Sequence, residues 1–365
     1  MNFFDSSAPW AIQPESLLRL ESMATEYARS ASDEAIAASS RQSALPSAGQ
    51  TTVSDGIAVI QLTGPLTKGF SWVTAISGGT SMLMAGAQIE QAAADPKIKG
   101  IMLQIDSPGG TVDGTEGLAR VIRAAGSTKP VIALASGTMA SAAYWAGSAA
   151  SAIYIDAGTT MVGSIGVVAK HVDISGLESR IGIKTTEVTS GKYKRIASMH
   201  EPLSDDGRST MQAQLDAIYS LFVQAVATNR GASVQTVLDR MADGRVFIGQ
   251  QAIDAGLVDG FATASEVLSR LRAGQQPQRK TTTTEKKTMT ISEAKQAAVA
   301  EVGRGGTPAQ YQAALDRIMA SSRRPEPSGV ATGPTDEEKI AKASAYAKQH
   351  GVDLVAGLKA LGFAK

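Results

Sequence analysis

Ser141 lies in S-G-T-M-A-S-A-A-Y-W, Ser136 to Trp145. An apolar run of strand character, Val131 to Ala135, precedes this stretch, and an alanine-rich run of buried-helix character, Ala142 to Ala150, continues it. A serine at such a strand-to-helix corner has its hydroxyl at a helix N-terminus. The helix dipole and free backbone N–H groups there favour a developing negative charge. That suits a nucleophile. It equally suits a capping residue, since Ser, Thr, Asp and Asn are the common N-caps, and from this stretch alone capping is the commoner outcome.

Two other glycine-containing corners end strand-like runs, where parallel sheets bind ligands. Asp106-Ser107-Pro108-Gly109-Gly110 follows the apolar run Gly100 to Ile105. Its proline fixes one φ, and its glycines let backbone N–H groups approach a ligand. A donor from Gly109 or Gly110, with another from Ala142, would form an oxyanion hole. A plain tight turn is the equal alternative. The third corner, Thr160 to Gly166, holds Ser164 between glycines.

A serine that attacks a carbonyl needs a base. The chain has no cysteine and only three histidines, His171, His200 and His350. His171 falls in an apolar run, His200 in a loop and His350 in the tail, so each reads as structural or surface. A lysine is the alternative base, and Ser190-Gly191-Lys192-Tyr193-Lys194-Arg195 offers two. Basic runs of this kind are commonly solvated loops. Bringing a lysine from about 10.4 to near neutrality costs about 4 kcal/mol, which burial can impose. A hydroxyl such as that of Ser164 could orient the amine.

The elements that must position these residues alternate between strand and helix. Strands are expected at Ile57 to Leu62, Gly100 to Ile105, Val131 to Ala135, Ala152 to Ile155, Val162 to Val172 and Lys184 to Val188. Helices are expected at Met82 to Ala94, Val112 to Ala125, Ala142 to Ala150 and Leu177 to Ile181. This order predicts an α/β fold with a parallel sheet covered by helices. Ser204 to Arg230 then reads as a long helix with an apolar stripe of Met211, Leu215, Ile218, Phe222 and Val226. Shorter pieces close the domain: a helix near Val234 to Met241, the segment Arg245 to Ile248, a helix at Gln250 to Ala255, then Leu257 to Gly260 and a last helix to Ala273.

Residues 1–52 read as an N-terminal arm and connector, with a helix from Pro14 carrying Leu17, Leu20, Met23 and Tyr27. Residues 53–273 form the folded domain. Residues 274–290, with Q-Q-P-Q-R-K-T-T-T-T-E-K-K-T, read as a polar linker. Residues 291–365 read as a helical, partly disordered tail with too few large apolar residues for its own core. Met289 can start a separate shorter product.

Of the 365 residues, 43% are hydrophobic and 19% charged, and the formal charge is +1. That balance gives no reason to expect nucleic-acid binding. Without cysteine there is no disulfide and no thiolate metal site. No secretory leader or membrane-spanning run is evident, and the expectation is a cytoplasmic protein.

The corners D-S-P-G-G, S-G-T-M-A-S-A-A-Y-W, V-G-S-I-G-V and S-G-K-Y-K-R, taken in this order with the closing G-L-V-D of Gly256 to Asp259, resemble the signal peptide peptidase A family of serine-lysine peptidases. The likeness runs from about Val53 to Ala273. It implies a Clp-protease/crotonase-type spiral of ββα units. It also implies Ser141 as nucleophile, Lys194 as base, Ser164 as the hydroxyl that orients the lysine, and Gly110 as the oxyanion glycine. Lys194 fits the S-G-x-x-K pattern better than Lys192. Family members often have glycine after the nucleophile, where this chain has Ala142. The P-W-A-I arm, the S-G-G-T-S loop and the lack of a membrane anchor look like the tailed-phage branch of head-maturation (prohead) proteases, with a scaffold-like C-terminal extension.

The resemblance implies an acyl-enzyme endopeptidase with no cofactor or metal, acting on polypeptides: its own tail, scaffold, and capsid or portal proteins. It further implies a homo-oligomeric ring. The competing readings are a bacterial cytoplasmic signal-peptide-peptidase-like protease, an acyl-CoA enzyme of crotonase type, and a non-catalytic scaffolding protein with a decayed protease domain.

Overall fold

The computed structural model describes residues 9–30, 51–69, 74, 77–275 and isolated helical positions at 342, 344, 345, 348, 356 and 360. Contacts divide the chain into two units. Met1–Thr281 with Lys339–Lys365 holds every described residue, and Thr282–Glu338 lies outside them. The linker and nearly all of the tail read from the sequence, with Met289, fall outside the described residues.

The arm supplies β1 (Trp10–Ile12) and α1 (Pro14–Ser30). Next come β2 (Thr51–Ser54), β3 (Ile57–Thr63), β4 (Leu66–Thr67), β5 (Thr80–Ser81), α2 (Met82–Ala94), β6 (Gly100–Ser107), β7 (Gly109–Thr111) and α3 (Thr115–Gly126). The middle of the chain forms β8 (Val131–Ala140), α4 (Ala142–Ser148), β9 (Ala152–Ile155), β10 (Met161–Gly163) and α5 (Ser175–Arg180). The closing part forms α6 (Asp205–Arg230), α7 (Val234–Arg240), β11 (Val246–Ile248), α8 (Gln250–Ala255), β12 (Gly260–Phe261) and α9 (Ala264–Arg272).

The main sheet has the order β11-β10-β8-β6-β3-β2, with β9 pairing both β8 and β12. Its central pairs β3–β6, β6–β8 and β8–β9 are parallel. β6, G-I-M-L-Q-I-D-S, is buried on both faces along most of its length, as the near-continuous apolar run of a covered parallel strand requires. The larger core packs Ile60, Leu62, Ile101, Leu103 and Ile105 against α2, α3, α4 and α6. A smaller one lies between Ile57, Val59, Met102 and Leu134 and the Val267 and Leu271 face of α9. The strand–helix alternation expected of an α/β spiral is therefore present.

Local signals explain the helix bounds. Ser81 caps α2 through its side chain, and Asp95 turns extended before Pro96, so the helix stops there. The buried face of α3 is Leu118, Ala119, Ile122 and Ala125, a helical stripe. In α6 the expected stripe is buried only at Phe222 and Val226; Met211, Leu215 and Ile218 are half-exposed.

A second, smaller sheet has the order β1-β7-β4-β5. It was not expected, and it corrects two readings. The Gly109–Gly110 corner is a short strand, so the helix after it begins at Thr115 instead of Val112. The P-W-A-I segment is itself a strand, antiparallel to β7. Two further strand readings are also corrected. Val162 to Val172 keeps strand structure only to Gly163, apart from a bridge from Val168 to Trp10. Lys184 to Val188 has none. Both are rich in β-branched residues, yet beyond Gly163 and the Val168 bridge neither has a strand to pair with, and β-propensity follows the partner more than the residue.

Candidate active site

β8 carries the nucleophile candidate to the end of the sheet. Its first half pairs with β6 and β9, and its last three residues pair with β10. The strand changes neighbours at Gly137, whose φ of 108° is closed to other residues without strain. Asp106 holds this bend: its Oδ1 accepts the Thr138 N–H at 3.0 Å. A methyl on Gly137 would stand only 2.8 Å from the same oxygen.

Ser141 follows directly. It is 1% exposed and takes φ 53°, ψ −119°. A non-glycine residue held there carries about 1–3 kcal/mol of strain. It occupies the N-cap position of α4 but makes no side-chain cap bond. Its hydroxyl instead donates to the Gly166 carbonyl at 3.3 Å, and its N–H to Gly163 O at 2.7 Å. An ordinary cap is extended and bonds the helix N–H groups, so the capping reading does not describe this serine. The geometry has the form of a strained strand-to-helix turn that projects a hydroxyl.

The other sequence-derived residues fall at the same corner, with one exception. Ser164, at φ 52° and 6% exposed, is held by its N–H to Arg245 O at 2.8 Å. A methyl built on Gly109 would stand 2.9 Å from Ser141 Cβ, so these two backbones touch. Gly109 gives its N–H to Ser107 Oγ at 3.2 Å, so the donor this corner can offer a ligand is Gly110, whose N–H faces β1 across the Ala11–Gly110 pair. Gly110 admits no side chain, because a Cβ would lie 1.7 Å from Leu66 O. Ala142 is the first residue of the uncapped helix and is fully buried.

Lys194 is the exception. It is exposed, and its ammonium makes no hydrogen bond or ion pair among the described residues. The structure does not bring it into contact with Ser141 or Ser164. Lys192 is also exposed and lies 4.9 Å over the Tyr193 ring. A hydrogen bond to Tyr193 and the charge of that group hold the Lys192 ammonium above its ordinary value. The described histidines are committed elsewhere: His171 Nε2 to Ser198 O at 2.9 Å, and His200 Nδ1 to Glu178 at 2.8 Å. His350 lies outside the described residues.

The residues that hold α4 in place were not evident as a group. Every residue of A-A-Y-W-A-G-S is buried, so this helix has no solvent face and alanine is the residue that lets it pass through the core. Trp145 stacks on Phe222 at 4.6 Å, Tyr144 OH donates to Leu257 O at 2.9 Å, and Asn229 donates to Ser148 Oγ at 2.8 Å. Arg230 and Asp259 form a buried bidentate pair at 2.6 and 3.2 Å, and Asp259 also accepts the Ile153 N–H at 2.8 Å. The G-L-V-D segment is thus a buckle between α4, β9 and the end of α6. Its Asp and the Arg sit 29 residues apart, a separation at which no local pattern can pair them.

Comparison with known proteins bears on what such a corner belongs to. The model of peptidase family S49 matches residues 123–277, which include Ser141, Ser164, Lys194 and the G-L-V-D buckle. A Synechocystis sp. protein is 31% identical over 217 residues, 60% of this chain and 73% of that protein. The chain belongs to peptidase family S49. Capsid assembly protease C of Escherichia phage lambda is 37% identical over 220 residues, 60% of this chain and 49% of that protein. Head-tail preconnector protein GP5 of Enterobacteria phage P21 is 36% identical over 234 residues, 62% of this chain and 46% of that protein. The chain spans about half the length of these two relatives.

Among the described residues no helix is long and apolar enough to cross a membrane, and no cluster of His, Asp or Glu is placed to hold a metal.

Proposed function

We propose that this chain is a serine endopeptidase that works through an acyl-enzyme on Ser141 and processes capsid and scaffold proteins during phage head assembly. The observation that carries it is Ser141 itself: buried, strained, uncapped, and set against the glycine strand that offers a backbone donor. In this reading Ser141 Oγ attacks the scissile carbonyl carbon while the Lys194 amine takes its proton. The Gly110 and Ala142 N–H groups face the oxyanion. The lysine then returns the proton to the leaving amine, and water releases the acyl group. Ser164 is the hydroxyl that orients the amine.

Lys194 must be enclosed to serve as a base, and in the single chain it is not. The segment that carries it exposes Val172, Leu177, Ile181, Ile183, Val188 and Tyr193, an apolar series of the kind that marks a contact surface. We take that surface to be covered in a homo-oligomeric ring, which would desolvate the 190–197 turn. The names of the phage lambda and phage P21 relatives support head assembly as the setting; we place it in the host cytoplasm and take the tail beyond residue 290 as a scaffold-like extension.

The test is proteolysis of co-expressed capsid protein or casein by the wild-type chain, by Ser141→Ala and by Lys194→Ala. Cleavage by the wild type alone supports the dyad. Wild-type-like cleavage by either variant sinks it.

A further inference from the structure

β1 is a strand with both edges occupied. On one side it runs antiparallel to β7, with Trp10 opposite Thr111, Ala11 opposite Gly110 and Ile12 opposite Gly109. On the other, Trp10 exchanges two hydrogen bonds with Val168, at 2.8 and 2.9 Å. Remove β1, and β7 and Val168 face each other across roughly 9.6 Å, about two strand spacings. That slot is one extended chain wide. Its walls are unpaired backbone groups, and Ser141 lies on its floor, bonded to Gly166 two residues before Val168.

The register places the arm as a substrate would lie. Val112 N–H donates to Pro9 O, and Gln13 N–H donates to Pro108 O. Hydrogen-bonded pairs alternate along an antiparallel ladder, so the pair between them, Ala11 and Gly110, is also hydrogen-bonded. This spends the Gly110 N–H on the Ala11 carbonyl. The Ala11 oxygen and the Ser141 Cβ both crowd the same side of Gly109, 2.2 and 2.9 Å from where its Cβ would stand. The Ala11–Ile12 peptide therefore occupies the position of a scissile bond.

Side chains divide by face. Trp10 and Ile12 pack with Leu17, Leu20 and Ala24 of the arm's own helix, forming a cluster separate from the two cores of the body. Alternation turns Ala11 the other way, where its methyl is fully buried. Glu21 of α1 ties the arm to Lys170 at 2.7 Å, beyond the slot.

We infer that residues 9–13 are a tethered peptide ligand of this slot, holding the place of substrate, and that a substrate must displace them with an extended segment bearing a small residue at the Ala11 position. This rests on reading Ser141 as the attacking group of a peptidase and names how its cleft is guarded.

The test separates occupancy from chemistry. The full chain carrying Ser141→Ala receives a site-specific protease sequence between Ser40 and Arg41, so that the arm can be cut free after folding. A fluorescent peptide of residues 7–15, S-A-P-W-A-I-Q-P-E, reports binding by anisotropy. At least tenfold tighter binding is expected once the arm is released and removed, with none for the same peptide carrying Ala11→Trp. Where the cut arm stays bound, the uncut chain carrying Trp10→Gly with Ser141→Ala decides, and it too is expected to gain peptide binding. Equal binding by guarded and unguarded protein, or no gain in either variant, overturns the inference. Because Ser141→Ala cannot turn over, a gain in binding stands even if the wild-type chain proves to have no peptidase activity; turnover without that gain sinks the tethered ligand alone.

Discussion

Ser141 sits at the N-cap of α4 but gives its hydroxyl to the Gly166 carbonyl, 3.3 Å away, and not to the helix. The strained φ of 53° is what aims it there. If the residue were only a cap, Ser141→Ala would cost about 1 kcal/mol. The geometry predicts almost no change for Ser141→Ala and a gain of about 1 kcal/mol for Ser141→Gly, which relaxes the backbone. Both should lose peptidase activity. Denaturant melts of the three proteins check this, and a clear loss of stability in Ser141→Ala would restore the capping role.

The two lysines of the 190–197 turn should separate in activity. Lys194→Ala is expected to lower turnover by about 10²–10⁴-fold, the range for loss of a proton-transfer group. Lys192→Ala should leave turnover near wild type, because the Lys192 ammonium lies over the Tyr193 ring and is engaged with that side chain. Initial rates on a peptide substrate decide, and the reverse ranking would move the base to Lys192.

The buried Arg230–Asp259 pair anchors the buckle behind α4. Asp259→Ala leaves a buried guanidinium without its partner and removes the acceptor of Ile153 N–H. The expected loss is about 3–5 kcal/mol, read as a drop in the urea midpoint. A loss under about 1 kcal/mol would mean that water or a neighbouring carbonyl replaces the carboxylate.

Two glycines should respond in opposite ways to alanine. Gly110→Ala drives a methyl to within 1.7 Å of the Leu66 carbonyl, and backbone cannot step aside cheaply. The small sheet should distort and activity should vanish. Gly117, inside α3, has open space around its Cβ position, so Gly117→Ala should stabilise by about 0.5–1 kcal/mol. Thermal melts with an activity assay on each variant test the contrast.

What the sequence made legible was local. Helix α2 reads correctly from Met82 to Ala94 because a serine starts it and Asp95-Pro96 stops it. α8 reads correctly from Gln250 to Ala255 between two glycines. The corners around Ser141, Ser164 and Gly109–Gly110 were visible because each needs a glycine where φ turns positive or where backbones touch. The unread parts depend on partners distant along the chain. β1 is three residues long, too short for periodicity, and it exists because β7 and Val168 offer it two edges. The 184–188 segment, and 162–172 beyond Gly163 apart from Val168, have strand composition without such edges. Lys194 is legible as a candidate through its motif, but its surroundings depend on what covers the turn. Asp106 was noted as part of a corner, while its work on the β8 bend needed the Thr138 contact to be seen.

The buckle behind α4 also sets an order of events during synthesis. The contacts that fix α4 come from Phe222, Asn229 and Leu257, and Asp259 reaches back 106 residues to Ile153. A ribosome that has made the Ser141 corner must add 81 residues to reach Phe222 and 118 to reach Asp259. Until then the nascent chain carries Ser141 without the contacts that clamp α4. A product truncated before residue 259 would lack the carboxylate that pairs with Arg230 and accepts the Ile153 N–H, so the Ser141 corner gains its full support only when the whole domain has been made.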